Sequence, residues 1–293
     1  MKTLNIIGAG RVGRSLAHLW QARGVFEIQD VLTTSVASAK EAVQFVGAGR
    51  AVQVMGDMRP ADVWMLAVPD GQIANVAALL ALQLNVKDAL VFHCSGALAS
   101  SVMAPLRAQA CQLASAHCIL SFSSPGTAVE QFAGTPCALE GDALATHSLR
   151  TAFTAIGAQP FALAAENKVL YHAAAVFATN FLPVLQVVAA DLWRSTGMPQ
   201  DMIAPLSASL LRHAVHNITT QGAAKALTGP AARGDTAVVA LQGQAVADWQ
   251  ADAGQAYQAL STLAAQIARE GHIISTSHDP QKNHHHIKGL HHD

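Results

Sequence analysis

Through its first 163 residues the chain alternates between two hydrophobic rhythms. Short apolar runs with β-type composition are separated by segments of helical spacing. The runs predict strands over Leu4 to Gly8, Ile28 to Thr33, Val63 to Val68, Ala89 to His93, Leu113 to His117, Cys137 to Leu139 and Pro160 to Leu163, with helices between most of them. That alternation is the signature of a parallel sheet covered by helices on both faces, an α/β domain of doubly wound type spanning residues 1–163. From about Ala164 glycine and proline thin out and alanine-rich helical spacing takes over. Residues 164–278 therefore read as an all-helical C-terminal domain. The spacing predicts helices over Glu166 to Trp193, with a kink at Pro183, over Pro205 to Gln221, and over Ala237 to Arg269, the last broken near Gly243 or Gly254. Residues 279–293 carry His284, His285, His286, His291 and His292 with little to pack, and read as a disordered His-rich tail.

Composition narrows the classes. A hydrophobic fraction of 51% with 13% charged residues supplies a large core. No stretch approaches the ~18 uninterrupted apolar residues of a spanning helix, and the first residues lead straight into a strand rather than a signal peptide. A soluble, cytoplasmic protein that avoids membranes is expected. A net charge of −1 without basic runs argues against nucleic acid and for a small-molecule partner. Cys94, Cys111, Cys118 and Cys137 form no C-x-x-C pair, so buried free thiols are expected and no metal site.

The candidate chemistry starts at Gly8-Ala9-Gly10-Arg11-Val12-Gly13, a G-x-G-x-x-G string between an apolar strand and a helix. In that setting the first glycine allows a tight turn, the second admits a pyrophosphate and the third lets helix and strand approach. The domain thus reads as a Rossmann sheet holding a dinucleotide. The second strand ends in Thr33-Thr34-Ser35, without the carboxylate that would hold free ribose hydroxyls; with Arg11 nearby, these hydroxyls favour the 2′-phosphate of NADP(H). Val68 and Pro69 follow the next strand and face the same cofactor.

Ligands of such sheets lie beyond the carboxyl ends of the strands. Asp70 there reads as a cap for the helix it opens. Ser95 reads either as a substrate-binding hydroxyl or as a turn residue, and His117 as a proton-moving or a structural histidine. At the start of the helical domain, Lys168 and His172 are four apart and share a helix face, with Asn180 two turns beyond on roughly the same side. Lys168 is then either a carbonyl-polarising cation or a solvated first-turn residue.

At these residues the chain resembles Rossmann-like oxidoreductases with a C-terminal domain of unknown function numbered 2520. The resemblance is carried by Asn5 to Gly13, Ala67 to Asp70, His93 to Gly96, Lys168 with Tyr171 to Asn180, and most specifically by the Thr228-Gly-Pro-x-x-Arg233-Gly-Asp235 loop. The group is similar to the 6-phosphogluconate dehydrogenase-like superfamily, which includes ketopantoate, pyrroline-carboxylate and deazaflavin-dependent reductases and prephenate dehydrogenases. The resemblance implies a cofactor held by the first domain, a substrate between the domains, and a homodimer made by the helices. It also implies hydride transfer to a 2-oxo acid such as ketopantoate, with Lys168 or His172 supplying the proton. Arg233 can pair with a substrate carboxylate and Asp235 can hold that arginine, although the two serve equally as a loop staple. Ketopantoate reductases place asparagine four residues after the lysine, where this chain has His172; prephenate dehydrogenases follow a catalytic histidine with proline, where His117 is followed by Cys118. An imine or deazaflavin reductase, and a non-catalytic NADP(H)-binding sensor, are the rival readings.

Overall fold

In a computed structural model of the chain, residues 1–275 are described. The His-rich tail lies outside them. The chain divides into two compact units, Met1–Asn180 and a second beginning at Phe181.

The first unit holds an eight-stranded sheet: β1 (Lys2–Ile7), β2 (Phe26–Leu32), β3 (Arg50–Val52), β4 (Val63–Leu66), β5 (Leu90–His93), β6 (Gln112–Cys118), β7 (Pro136–Gly141) and β8 (Gln159–Ala162). Their order is β3-β2-β1-β4-β5-β6-β7-β8. The first six are parallel; β7 runs antiparallel to β6, and β8 pairs parallel with β7. The six parallel strands follow the Rossmann order, with the reversal of connection between β1 and β4. Every expected strand is present, and β3, only three residues long, is an addition.

Alternation along each strand feeds two separate cores. On β4, Val63 and Met65 join the core that also contains Leu16, Ala17 and Trp20 of α1 (Arg11–Ala22), Ala42 and Val46 of α2 (Val36–Val46), and, beyond the short α4 (Pro125–Gln131), Leu149 and Phe153 of α5 (Ala143–Ala155). Trp64 and Leu66 face the other side, against Ile73, Ala77 and Leu80 of α3 (Asp70–Gln83). Trp20 anchors the first core through edge-to-face contacts with Phe26, Phe92 and Phe153. β1 pairs with β2 through an irregularity at Asn5, whose buried side chain accepts from the Asp30 amide at 3.0 Å. Asp30 is itself fully buried. Burial pushes its carboxyl up, but hydrogen bonds from Arg59 and Arg50 outweigh this and hold it below its ordinary value.

The unit boundary falls later than the 163/164 division expected from composition. A 3-10 turn (Ala165–Asn167), α6 (Lys168–Ala175) and a π-helical turn (Val176–Asn180) all belong to the first unit. The reason is local: Lys168 is 1% exposed and its side chain is fixed to the sheet, so α6 packs with the strands despite its alanine-rich texture.

The second unit is helical: α7 (Phe181–Ser195), α8 (Gln200–Gln221), α9 (Ala223–Ala226), α10 (Pro230–Arg233), α11 (Thr236–Trp249) and α12 (Ala251–Glu270). The expected kink at Pro183 takes the form of the π turn just before it, which widens the helix where proline offers no N–H. α8 starts at Gln200 rather than Pro205, which sits inside the helix. The last helix breaks at Gln250, which caps α12, and not at either glycine. Gly254 instead permits close packing, since a Cβ there would lie 2.6 Å from Ala247. Helical residues Ala165–Ser195 are, by length and composition alone, apolar enough to cross a membrane, with mean hydropathy 1.8 in the best window. This differs from the expectation because the run is interrupted by Lys168, His172 and Asn180 yet remains apolar on average.

Candidate active site

Two turns and one helix build the site within the first unit. The loop Gly8-Ala9-Gly10 carries the chain from β1 into α1. Gly8 has φ +84°, and a Cβ there would lie 2.6 Å from the Ala67 carbonyl oxygen. A Cβ on Gly13 would lie 2.7 Å from the Gly8 carbonyl oxygen. A Cβ on Gly10 meets nothing within 4 Å. The first and third glycines are thus demanded by the fold, while the second borders open space. The N-terminus of α1 has no side-chain cap and no acidic residue in its first turn, leaving its N–H groups free for an anion. These features fit a dinucleotide pyrophosphate.

At the end of β2, Thr33 Oγ1 donates to the Ser35 carbonyl at 2.7 Å, and Ser35 Oγ accepts from the Ser38 amide as the cap of α2. Thr34, Ser35 and Arg11 are exposed. Sequence reasoning missed Arg14, which ties the two loops together. Its Nε donates to the Ala9 carbonyl at 2.7 Å, and its Nη2 reaches Ser38 and, at 3.5 Å, Glu41. Val68 packs close over Gly8, and Pro69 precedes the first residue of α3.

The turn after β5 is more tightly fixed. Ser95 N–H donates to His93 Nδ1 at 3.1 Å, so the opposite nitrogen, 3.2 Å from the Ala99 carbonyl, carries the hydrogen. Burial pushes His93 down to about 4, which keeps this bridging ring neutral. Ser95 Oγ accepts from the Ala97 and Leu98 amides and donates to Asp70 Oδ2 at 2.7 Å. Asp70 does not cap its own helix, contrary to expectation; its carboxylate is taken by Ser95, where β4 and β5 end side by side.

Lys168 is neither solvated nor in the open site. Its Nζ donates to Ser115 Oγ at 2.6 Å and to the Ser95 carbonyl at 3.1 Å, beneath the turn, and burial pushes its pKa down. His172, one turn on, comes up beside His117, with the rings perpendicular and 5.3 Å apart. His117 Nδ1 lies 3.0 Å from Tyr171 Oη. Burial, then the neighbouring His172 and Lys168, push His117 down to about 4. Gly96 fits only because it lacks a side chain: a Cβ would lie 2.4 Å from His172 Nδ1 and 2.9 Å from His117 Nε2. A cavity of about 180 Å³ opens here, lined among others by Val12, Asp70, Ser95, Gly96, His117 and His172. His172 Nδ1 is buried and has no hydrogen-bond partner among the described residues.

Asn180 does not join this cluster. It is exposed and its Oδ1 accepts from Thr179 Oγ1, because the π turn widens the helix and spoils the spacing that would return it to the face of His172. In the second unit, Arg233 and Asp235 form an exposed ion pair, with Nη2 3.0 Å from Oδ2, across the left-handed Gly234. Cys111, Cys118 and Cys137 are buried free thiols, and Cys94 is half-buried.

Residues 2–118 match the model of a Rossmann-like domain, and residues 135–264 match that of a domain of unknown function, DUF2520. No curated protein matches the chain. Among solved structures, protein TM1727 from Thermotoga maritima is 26% identical with a TM-score of 0.71, over 92% of this chain and 99% of that one. Protein BF3122 from Bacteroides fragilis, described as a candidate NADP oxidoreductase, is 22% identical with a TM-score of 0.70, over 90% and 98%. The fold is shared more distantly with a reductive aminase from Aspergillus terreus solved with NADPH, 16% identical with a TM-score of 0.60, over 92% and 95%.

Proposed function

The chain joins a Rossmann-like domain to DUF2520, and on that premise we propose that it is an NADP(H)-dependent oxidoreductase acting on a small carboxylate-bearing substrate. The observation that carries the reading is the pairing of an uncapped helix N-terminus behind Gly10 with a cavity at the ends of β4, β5 and β6 into which Asp70, Ser95, His117 and His172 are gathered. When bound, the nicotinamide supplies the hydride. The protein's own residues do the rest. Gly8, Gly10, Val12 and Gly13 shape the pyrophosphate loop, and Val68 and Pro69 border it. Thr33, Thr34 and Ser35 offer hydroxyls to a 2′-phosphate, and none of the three is acidic. Arg11 adds positive charge, while that of Arg14 is shared with Glu41. Ser95, held by His93 and Asp70, presents a fixed turn to the substrate. Lys168 stiffens that turn from below, and His117 and His172 supply polar ring nitrogens to the reacting oxygen.

A 2-oxo acid such as ketopantoate suits a site of this size; the Arg233 guanidinium, held by Asp235, is the group proposed to pair with such a carboxylate. The second unit is proposed to dimerise with another copy of the chain. α7 exposes Leu182, Val184, Leu185 and Val187, which lie around the whole helix, and among the described residues of this unit only Ile203 and Gly254 are buried. A helix apolar all round needs a covering layer. A second copy supplies the same apolar faces, and the proposed location is the cytoplasm. Light scattering after chromatography tests this: a dimer without detergent is expected, and a requirement for detergent would refute it. The enzymatic reading is tested by following NADPH oxidation with a panel of 2-oxo acids, including ketopantoate, and of cyclic imines. Turnover on a 2-oxo acid is expected; turnover confined to imines would overturn the substrate class.

A further inference from the structure

We propose that Tyr171 fixes the tautomer of His117 so that its Nε2–H acts as a neutral hydrogen-bond donor to the reacting oxygen of the substrate. The inference rests on the reading of this cavity as a hydride-transfer site. It assigns a division of labour that the residue types alone left open between Lys168, His172 and His117.

Lys168 is committed elsewhere. Its ammonium donates to Ser115 Oγ and the Ser95 carbonyl, it is 1% exposed, and it is not part of the cavity wall. It acts as a positioning cation beneath the turn. His117 does line the cavity, and its two nitrogens have different surroundings. Nδ1 faces Tyr171 Oη at 3.0 Å, with the rings perpendicular at 5.5 Å. The phenol also lies 3.4 Å from the His117 carbonyl, a second acceptor within its reach; we assign its single proton to the nearer acceptor, Nδ1. Burial pushes the Tyr171 phenol well above its ordinary value, so it keeps its proton and remains a donor. A neutral imidazole that accepts at Nδ1 carries its hydrogen at Nε2. That nitrogen lies beside the gap left by Gly96, 2.9 Å from the position a Cβ would take.

The charges around the ring keep it neutral. His172 and Lys168 from α6 disfavour a second proton, Asp70 from α3 favours one, and burial outweighs them all. In the same wall the Cys94 thiol is pushed up by burial, and the Cys118 thiol by its hydrogen bond with Cys137 and by burial, so neither carries a charge to counter this. A neutral ring polarises a carbonyl as a fixed dipole aimed at the oxygen where negative charge develops, and the alkoxide left by hydride transfer would take its proton from solvent water rather than from His117. Tyr171 is then a positioning residue and His117 the catalytic one.

The test uses the full chain with long-range proton–nitrogen NMR of the imidazole rings, His117 being assigned by His117→Gln. The wild type is expected to show a single neutral Nε2–H form of His117 from pH 5.5 to 8. Tyr171→Phe is expected to give mixed tautomers and to lower kcat more than it changes KM. His117→Ala should lose roughly 10²–10³-fold in kcat, the usual effect of deleting one such donor, and His117→Gln, which keeps an N–H, should recover part of it. A wild-type Nδ1–H form, titration of His117 near its ordinary value, or an undiminished kcat in His117→Ala would each overturn the inference. A wild type that binds NADPH and reduces nothing would instead remove the hydride-transfer reading, and the donor role with it.

Discussion

Gly96→Ala isolates the geometry of the candidate site from the cofactor loop. The added methyl would lie 2.4 Å from His172 Nδ1 and 2.9 Å from His117 Cε1 and Nε2. Ordinary contact begins near 3.4 Å, so the rings must retreat by about 1 Å and about 0.5 Å. Both are ring atoms of side chains that can turn, so the fold yields at modest cost, about 1–3 kcal/mol for an overpacked site. For a chain of this size that is a fall in Tm of several degrees. Catalysis has no such tolerance, since a ~1 Å misplacement of a positioned group costs roughly 10²-fold in rate. The nearest residue of the glycine loop is not displaced, so NADPH affinity should stay within about twofold. The assay is steady-state kcat beside a thermal melt and a fluorescence titration of NADPH. An unchanged kcat in a folded variant would refute the placement of chemistry between His117 and His172.

Three further outcomes are expected. Gly10→Ala, which meets no atom within 4 Å, should melt like the wild type but bind NADPH more weakly, whereas Gly13→Ala, 2.7 Å from a backbone oxygen, should lose stability itself; parallel melts and titrations distinguish them. Lys168→Met removes the charge-assisted donor to Ser115 Oγ and the Ser95 carbonyl, which keep only their bond to each other, and should destabilise by about 1–3 kcal/mol in all, read by denaturant unfolding. His93 and His117 are held below their ordinary 6.5, at about 4, so between those values the unfolded chain binds protons that the native chain does not. Stability is therefore complete above pH 6.5 and falls on acidification toward 4, by about 1.4 kcal/mol per pH unit for fully buried His93 and less for half-buried His117. Unfolding midpoints that rise between pH 6.5 and 5 would contradict this.

The parallel half of the fold was legible because strand and helix carry different hydrophobic periods, and the glycine loop because each glycine answers a separate steric demand. β3 was missed since three residues are too few to show alternation. The packing units divide at a different place from the change in composition. Composition near Ala164 changes with the onset of helix, whereas the packing boundary is set by one lysine reaching back to β6. Within the site, the i, i+4 spacing correctly put Lys168 and His172 on one face. It could not show that Lys168 points beneath the turn, because that depends on Ser115, a residue whose partner is 53 positions away. Tyr171 was passed over and Asp70 was read as a cap because their hydrogen bonds join residues distant in sequence, whereas His93 bonds locally to the Ser95 amide and the Ala99 carbonyl in a turn with no sequence signature. Asn180 was placed by a regular helical count that the π turn breaks.

The central claim is that this chain holds NADP(H) on its glycine loop in order to move a hydride. The most direct measurement is a fluorescence titration of the full chain with NADPH and with NADH. Saturable NADPH binding, tighter than NADH and weakened in Gly10→Ala, is the predicted result. Absence of saturable binding by either nucleotide would contradict the account at its root.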